Sequence, residues 1–581
     1  MAIRVVRKTL LFAAVVCILL FSLVALASGN MMFPEKPPTG ITLKGNGVVA
    51  GTDKIQASGN TYTLTGNIDE SIIILSDRIV LDGAGYTLKG HGNGIGVFVQ
   101  GRDGVTIKNL VIEGFTYGIK LTWISYDSPT GRSVNIKGNT FRDNQYAVAF
   151  LESLPKSIVS DNLFVGNTYA VYSPKNAVLR GNEFRNNDYC ICDDYNYNDA
   201  DASNTVNGKP LYYWVNQQDK TVPSNAGWVA LKNCRNITVH GLSLDGCGDG
   251  LTLFNTSGST IQGNIIANNV HGIRLLNSNG NTITENTISG SSENGIYLSV
   301  ASNNTISKNE ITANTGDGII IKYDCYNNTI NQNRIVGNAQ TGITVSLLFQ
   351  TKHPTIDNFL NGTGLPFQPK SIVDVSVISQ NIISQNGVGI WIDNGISFTI
   401  ILNNITDNIG WGMKLEGSQC DNIIHHNNFI GNNKANSTEQ LQVRIGGFFN
   451  QTYNRAPNGT TYMPPVIEYV AGSANAWDNG VEGNYWSDYT TRYPNATQAG
   501  GTGVGDTPFY INENNIDRYP LMAPVDISDA NAALCRSQNP QAEQNTFPSA
   551  TILILLAVAG IVGGSLLIYR RKVGFSSKFS R

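Results

Sequence analysis

Tyr117, Tyr146, Tyr169 and Tyr189 each stand immediately before a small residue that opens an apolar phrase, and Asp249, His271, Asn294 and Asp317 hold the same position later in the chain. Tyrosine combines an apolar ring with a hydroxyl at its tip, so a line of them could bind sugar rings, with Asp249 and His271 carrying the track onward. The same residues could equally serve as stacked rings that stabilise a structural boundary. A second group comprises Asp188, Asp193, Asp194, Tyr195, Tyr197, Asp199 and Asp201, with Tyr212, Tyr213 and Trp214 close behind. Carboxylate oxygens there could hold Ca²⁺, or a pair could act as acid and base on a glycosidic bond. A solvated acidic loop is the plainer alternative, and no EF-hand spacing accompanies these residues. His425 and His426 are adjacent, so their rings are expected to diverge rather than share a metal.

Residues at one repeat position become neighbours only if the repeats stack. The phrases beginning at Gly250, Gly272, Gly295, Gly318 and Gly342 follow one another at 22 to 24 residues, a period that marks a solenoid. Each repeat holds three short alternating segments separated by Asn, Gly and Ser, which read as three strands joined by turns. The expected fold is all-β: a right-handed parallel β-helix over residues 41–475, one long domain growing by stacked rungs. Equivalent anchors are Gly96, Gly118, Ala147, Ala170 and Cys190 before the central block, and Gly389 and Gly412 after it. The residue after each (Val97, Ile119, Val148, Val171, Ile191, Ile390, Met413) should point inward. The next (Lys120, Ala149, Tyr172, Cys192, Thr252, Arg274, Tyr297, Ile320, Thr344, Trp391, Lys414) should form a solvated outer face.

Asn139, Asn162, Asn182, Asn264, Asn286, Asn309, Asn333, Asn381, Asn404 and Asn428 precede the strand that follows each turn, where stacked amides could bond from rung to rung. Loops are expected near 193–227, 349–370 and 440–474. At the first of these Asp193 falls where an inward aliphatic belongs, and an unpaired buried carboxylate would be costly, so the chain is expected to leave the coil there. Cys234 and Cys247 are close enough in sequence to pair within a rung, but pairing cannot be read from spacing.

The ends bear on compartment. Arg4, Arg7 and Lys8 precede an apolar run and small residues at Ala25 and Ala27, so residues 1–28 read as a signal peptide. Residues 550–569 are uncharged, long enough to cross a bilayer, and followed by Arg570, Arg571 and Lys572. A transmembrane helix there, a tether over 525–548 and a cytoplasmic tail over 570–581 would place the coil at the cell surface. A net charge of -3 and the lack of a basic stripe exclude nucleic acid as a partner.

The phrase Ile79-Val80-Leu81-Asp82-Gly83-Ala84-Gly85-Tyr86-Thr87-Leu88, with Val105 to Leu110 and Tyr117-Gly118-Ile119 after it, resembles the opening rungs of the NosD-like, or carbohydrate-binding and sugar-hydrolysis (CASH), β-helix proteins, the archaeal surface members in particular. Asn204 to Tyr213 carries the same resemblance. So do Gly483-Asn484-Tyr485-Trp486-Ser487-Asp488-Tyr489 and Asp517-Arg518-Tyr519-Pro520, which resemble that family's C-terminal module, here a cap over 476–524. The resemblance implies a β-helix engaging polysaccharide or envelope glycan. It also raises copper, because the founding member is linked to maturation of the copper site of nitrous oxide reductase. No catalytic signature of the β-helix lyases, hydrolases or epimerases is present, so no catalytic residue, cofactor or metal ligand is assigned. Glycan binding or a structural role in the envelope leads, with polysaccharide lyase, hydrolase or epimerase activity as the alternative.

Overall fold

The structure, a computed structural model, describes residues 38–528 apart from 123–131, 152–153, 155, 194–195, 348–375, 394–396, 417–421, 434–441, 447, 453–465 and 471–473. Strands of three to six residues recur three to a rung and pair in parallel with the equivalent strand of the next rung. Tyr117–Thr122, for example, lies between Ile95–Gln100 and Tyr146–Phe150. The result is a right-handed parallel β-helix. The aliphatics after the anchors point inward as the alternation requires: Val97, Ile119, Val148, Ile390 and Met413 are fully buried. Each is worth about 2 kcal/mol of burial. The outer face is less open than expected, for Thr252, Ile320 and Thr344 are buried as well.

Asparagine ladders hold the turns. Asn309 donates from Nδ2 to the Ile283 carbonyl (2.9 Å) and to Asn333 Oδ1 (3.0 Å), while its own Oδ1 accepts from the backbone N–H and Nδ2 of Asn286 at 3.0 and 2.9 Å. Every polar atom of the amide is used, so a buried polar column costs nothing in unmet hydrogen bonds. The ladder runs on through Asn381 to Asn403 and Asn427, not to the expected Asn404 and Asn428. Both sites are Asn-Asn doublets, and strand register decides which member turns inward: Asn404 sits opposite Ile382, one residue past the turn.

The coil is not one continuous shaft. Residues 193–227, expected as a side loop, contain four strands. Asp199–Ala200 and Thr205–Val206 complete the last rung of an N-terminal coil by pairing with Val178–Arg180 and Glu183–Arg185. Thr205–Val206 then turns back on Lys209–Val215 in an antiparallel hairpin about Asn207 and Gly208, whose φ angles of 49° and 81° suit a two-residue turn. Lys209–Val215 pairs in parallel with Trp228–Lys232, which starts a C-terminal coil running the other way around. A reversal within one sheet keeps the handedness only if the new coil closes on the sheet's opposite face, and the cores show this. Leu211, Tyr213, Trp228 and Ala230 belong to the N-terminal core, whereas Val229 and Leu231 belong to the C-terminal core, against which Tyr212 and Trp214 pack. The two coils thus share one sheet with both faces buried.

Two further expectations are altered. Within 440–474, Val443–Ile445 adds a rung strand beside Met413–Glu416, and Phe448–Thr452 pairs antiparallel with Val466–Val470. The transmembrane helix over 550–569 does not stand as part of the fold: among the described residues no helix is long and apolar enough to cross a membrane. An uncharged run meets the length condition for a span without establishing a helix. Residues 550–569 lie outside the described residues, as do 1–28, 570–581, the 349–370 loop and all of the tether past 528.

Residues 474–528 close the C-terminal core. Trp486 stacks on Phe429 of the last rung at 4.6 Å and on Phe509 at 4.2 Å. The ladder ends here, Asn427 on Asn484 and the Asn484 N–H on Asp517 Oδ2 at 2.7 Å. Trp486 Nε1 also donates to Asp517 (2.8 Å). Burial pushes the Asp517 carboxyl up to about 7, the nearby Asp478 carboxylate adding to the rise and the donated hydrogen bonds opposing it. A raised carboxyl means that the folded protein keeps a proton the unfolded chain has released. The stability this contributes is full below about pH 4 and is lost as pH rises through 7. Urea midpoints measured from pH 4 to 8 should show that decline, and Asp517→Asn should flatten it; parallel profiles for the two proteins would refute the assignment.

Candidate functional site

The four tyrosines form one stack along a corner of the N-terminal coil, with ring centroids 4.9, 4.8 and 4.7 Å apart and interplanar angles of 14°, 7° and 13°. Parallel pairing puts each tyrosine directly over the last. The ring faces are therefore spent on one another, and Lys120 Nζ covers the Tyr117 ring at 4.5 Å. Tyr172 packs edge-on against Tyr146 and Tyr169 at 5.0 and 5.4 Å, so the hydroxyls and the uncovered part of the edges remain, and contact with a ligand here would be by hydrogen bond rather than by stacking on ring faces. Burial pushes the Tyr146, Tyr169 and Tyr189 hydroxyls above their ordinary range, most strongly at Tyr189, where Tyr169, Asp249 and Glu293 add to the effect. These groups stay protonated and can donate.

The polar half of the line continues this row although it belongs to the other coil. The Tyr189 ring lies against Gly248, where an added Cβ would sit 3.2 Å from Cδ1, and the next residue, Cys190, is disulfide-bonded to Cys247. That pairing differs from the within-rung pairing weighed for Cys234 and Cys247; Cys234 is a buried thiol. Asp249 Oδ2 accepts from Thr252 Oγ1 (3.2 Å) and pairs with Arg274 (3.3 Å). His271 Nε2 faces Glu293 at 3.4 Å, and its ring stacks on Tyr297 at 5.1 Å. Asp317 and Asn294 are committed to the rung itself: Asp317 accepts from the Thr341 N–H at 2.8 Å, and Asn294 Oδ1 from the Asp317 N–H at 2.9 Å.

Where the last rung of one coil meets the first rungs of the other, a cavity of about 450 Å³ opens, lined by Asn186, Asp188, Tyr189, Asn207, Asp245, Asn268 and Glu293 among others. Sequence reasoning missed it, along with Glu293 and the partnership of Asp249 with Arg274. The readable signal was Asn207-Gly208, the hairpin dipeptide that brings the two coils together.

Asp193 stands apart from this site. It points inward, 6% exposed, and is satisfied: Lys232 Nζ (1% exposed) lies 2.9 Å from Oδ1, and Tyr213 Oη and Asn198 Nδ2 donate to Oδ2 at 2.7 and 2.6 Å. The expectation that the chain leaves the coil at Asp193 is thus corrected, because the carboxylate is buried with partners at Asn198, Tyr213 and Lys232, the last 39 residues away. Asp194 and Tyr195 lie outside the described residues. Asp199 and Asp201 are both taken by Arg180, at 2.7 and 3.0 Å. Among the described residues, Asp193 on the one hand and Asp199 with Asp201 on the other are thus drawn into ion pairs with different cations, Lys232 and Arg180.

The adjacent histidines do not diverge. His425 Nδ1 lies 2.7 Å from His426 Nδ1, and His426 Nε2 lies 2.9 Å from Glu482. Burial pushes His425 down to about 3, with His426 adding to the fall. Among the described residues no group of three or more His, Cys, Asp or Glu side chains is placed to hold a metal ion.

Residues 44–226 match the family model described as periplasmic copper-binding protein (NosD), and residues 227–365 the model described as right handed beta helix region. The N-terminal coil thus resembles NosD, and the chain as a whole is a parallel β-helix protein. The boundary between the two matches falls at the junction of the chain's two coils. No curated protein matches its sequence. Among solved structures it resembles a double mutant of the periplasmic alginate epimerase AlgG (16% identity, TM-score 0.26, covering 59% of this chain and 78% of that one). It also resembles the Dettilon tailspike protein gp208 (14%, TM-score 0.26, 65% and 59%). A third is the A-module of the Azotobacter vinelandii mannuronan C-5 epimerase AlgE4 (11%, TM-score 0.24, 64% and 82%). At such identities the likeness is one of fold alone. Copper named in the family description finds no matching donor set among the described residues. Cys190 and Cys247 are oxidised to a disulfide, and His426 is already engaged by His425 and Glu482 without a third soft donor.

Proposed function

We propose that this NosD-like protein works outside the cytoplasm as a glycan-binding β-helix, its contact line running along the tyrosine row and into the cavity between the coils. The observation that carries the reading is the row of four hydroxyl-bearing ring edges, one per rung, leading to a cavity rimmed by amides and carboxylates. Hydroxyls, amides and carboxylates at fixed spacing are what a polymer of sugar hydroxyls can bond to repeatedly. The family description, periplasmic, supports the compartment. So does the disulfide, which belongs to oxidising surroundings.

A glycan array probed with the purified protein tests this. In Tyr146→Phe/Tyr169→Phe the rings and their stack are kept while two hydroxyls are lost. Affinity for any polysaccharide hit should fall about tenfold, two hydrogen bonds' worth, with the thermal midpoint unmoved. Unchanged affinity in the double variant, or an array without hits, would refute the contact line.

A further inference from the structure

We propose that Lys232 and Asp193 condense to an intramolecular isopeptide bond that covalently joins the last rung of the N-terminal coil to the shared sheet. Lys232 Nζ is 2.9 Å from Asp193 Oδ1 and 3.0 Å from the Asp193 carbonyl oxygen, so the amine is already in contact with the carboxyl group it would attack. Both side chains are almost fully buried. The Tyr213 and Phe254 rings lie 5.7 and 5.3 Å from Nζ. A buried ion pair keeps a large desolvation cost, and its conversion to a neutral amide removes both charges.

The surroundings supply what condensation needs. Burial raises the Asp193 carboxyl, which favours moving a proton from Nζ to Oδ1 along their hydrogen bond to give a neutral amine and a neutral acid. The Nζ lone pair then attacks Cγ, and negative charge develops on Oδ2, where Tyr213 Oη and Asn198 Nδ2 already donate at 2.7 and 2.6 Å. A second proton passes from Nζ to Oδ1. The Cγ–Oδ1 bond breaks, Oδ1 leaves as water, and the carbonyl re-forms at Oδ2. One C–N bond is made, one C–O bond is broken, one water is released, and no oxidant or activated co-reactant enters. The product closes a loop between residues 39 apart.

Peptide mapping of the purified, fully reduced protein by mass spectrometry decides the matter. The expected result is a branched tryptic species containing both Asp193 and Lys232, lighter by one water than its two parent peptides, with no cleavage after Lys232. Lys232→Arg keeps a cation but cannot form this amide and should return linear peptides at their sequence masses. Linear peptides from the wild-type protein with cleavage after Lys232, or a water loss mapped to another residue, would overturn the proposal. The wild-type map decides this even if the variant fails to fold.

Discussion

Asn403→Leu is expected to destabilise the C-terminal coil by about 4 kcal/mol, while Asn404→Leu, one residue on, should cost under about 1 kcal/mol. The Asn403 side chain donates to the Ile378 carbonyl and to Asn427 Oδ1, both at 2.9 Å, and accepts from the N–H and Nδ2 of Asn381 at 3.0 and 2.9 Å. Leucine would leave several of these groups buried without partners, at roughly 1–3 kcal/mol each. The Asn404 side chain makes one part-buried bond, accepting from Asn428 Nδ2, and Asn428 keeps both the N–H and the carbonyl of Val525 as partners. Because a solenoid's rungs are coupled chiefly to their neighbours, the Asn403 variant should also lose amide-exchange protection most strongly in the rungs containing Asn381 and Asn427. Urea denaturation and hydrogen exchange of both variants check the pair of values; equal losses would show that the ladder carries no special energy.

Lys232→Met should cost about 3–5 kcal/mol and loosen the junction of the coils. The substitution keeps most of the aliphatic volume but strips Asp193 of its cation, leaving a carboxylate at the end of the N-terminal core held by Tyr213 and Asn198 alone. The loss follows whether the two side chains are joined as an ion pair or as the amide proposed above, since methionine can form neither. Asp193→Asn/Lys232→Met, which removes both charges, should recover part of it. Thermal midpoints of the three proteins provide the check. A single variant as stable as the wild type would mean that the junction does not depend on this contact.

How far these features were legible depended on whether period or partnership governed them. The period of 22 to 24 residues, the inward column from Val97 to Met413 and the stack of tyrosines followed from counting, because parallel stacking makes equal sequence positions spatial neighbours. The use of the tyrosine faces did not follow. Equal spacing places the rings, but only the observed 4.7–4.9 Å separations show that they cover one another's faces. Nor did the fate of Asp193, whose cation comes from a strand 39 residues later. Asn403 and Asn404 were indistinguishable by type, and a shift of one residue reverses which side chain is inside.

The sequence by itself determined the repeating local structure: three strands to a rung, aliphatics inward, asparagines at the turns and an aromatic-rich end. Local alternation and turn chemistry suffice for that, and every rung repeats the same solution. Only the tertiary structure decided that the repeats form two coils on opposite faces of one sheet, that a cavity opens where they meet, and that Cys190 finds Cys247 and Lys232 finds Asp193 across the meeting point. The physical reason is that a single hairpin at Asn207-Gly208 reverses the strand direction while leaving the period on either side unchanged. The pattern along the chain looks continuous through a point at which the molecule changes face.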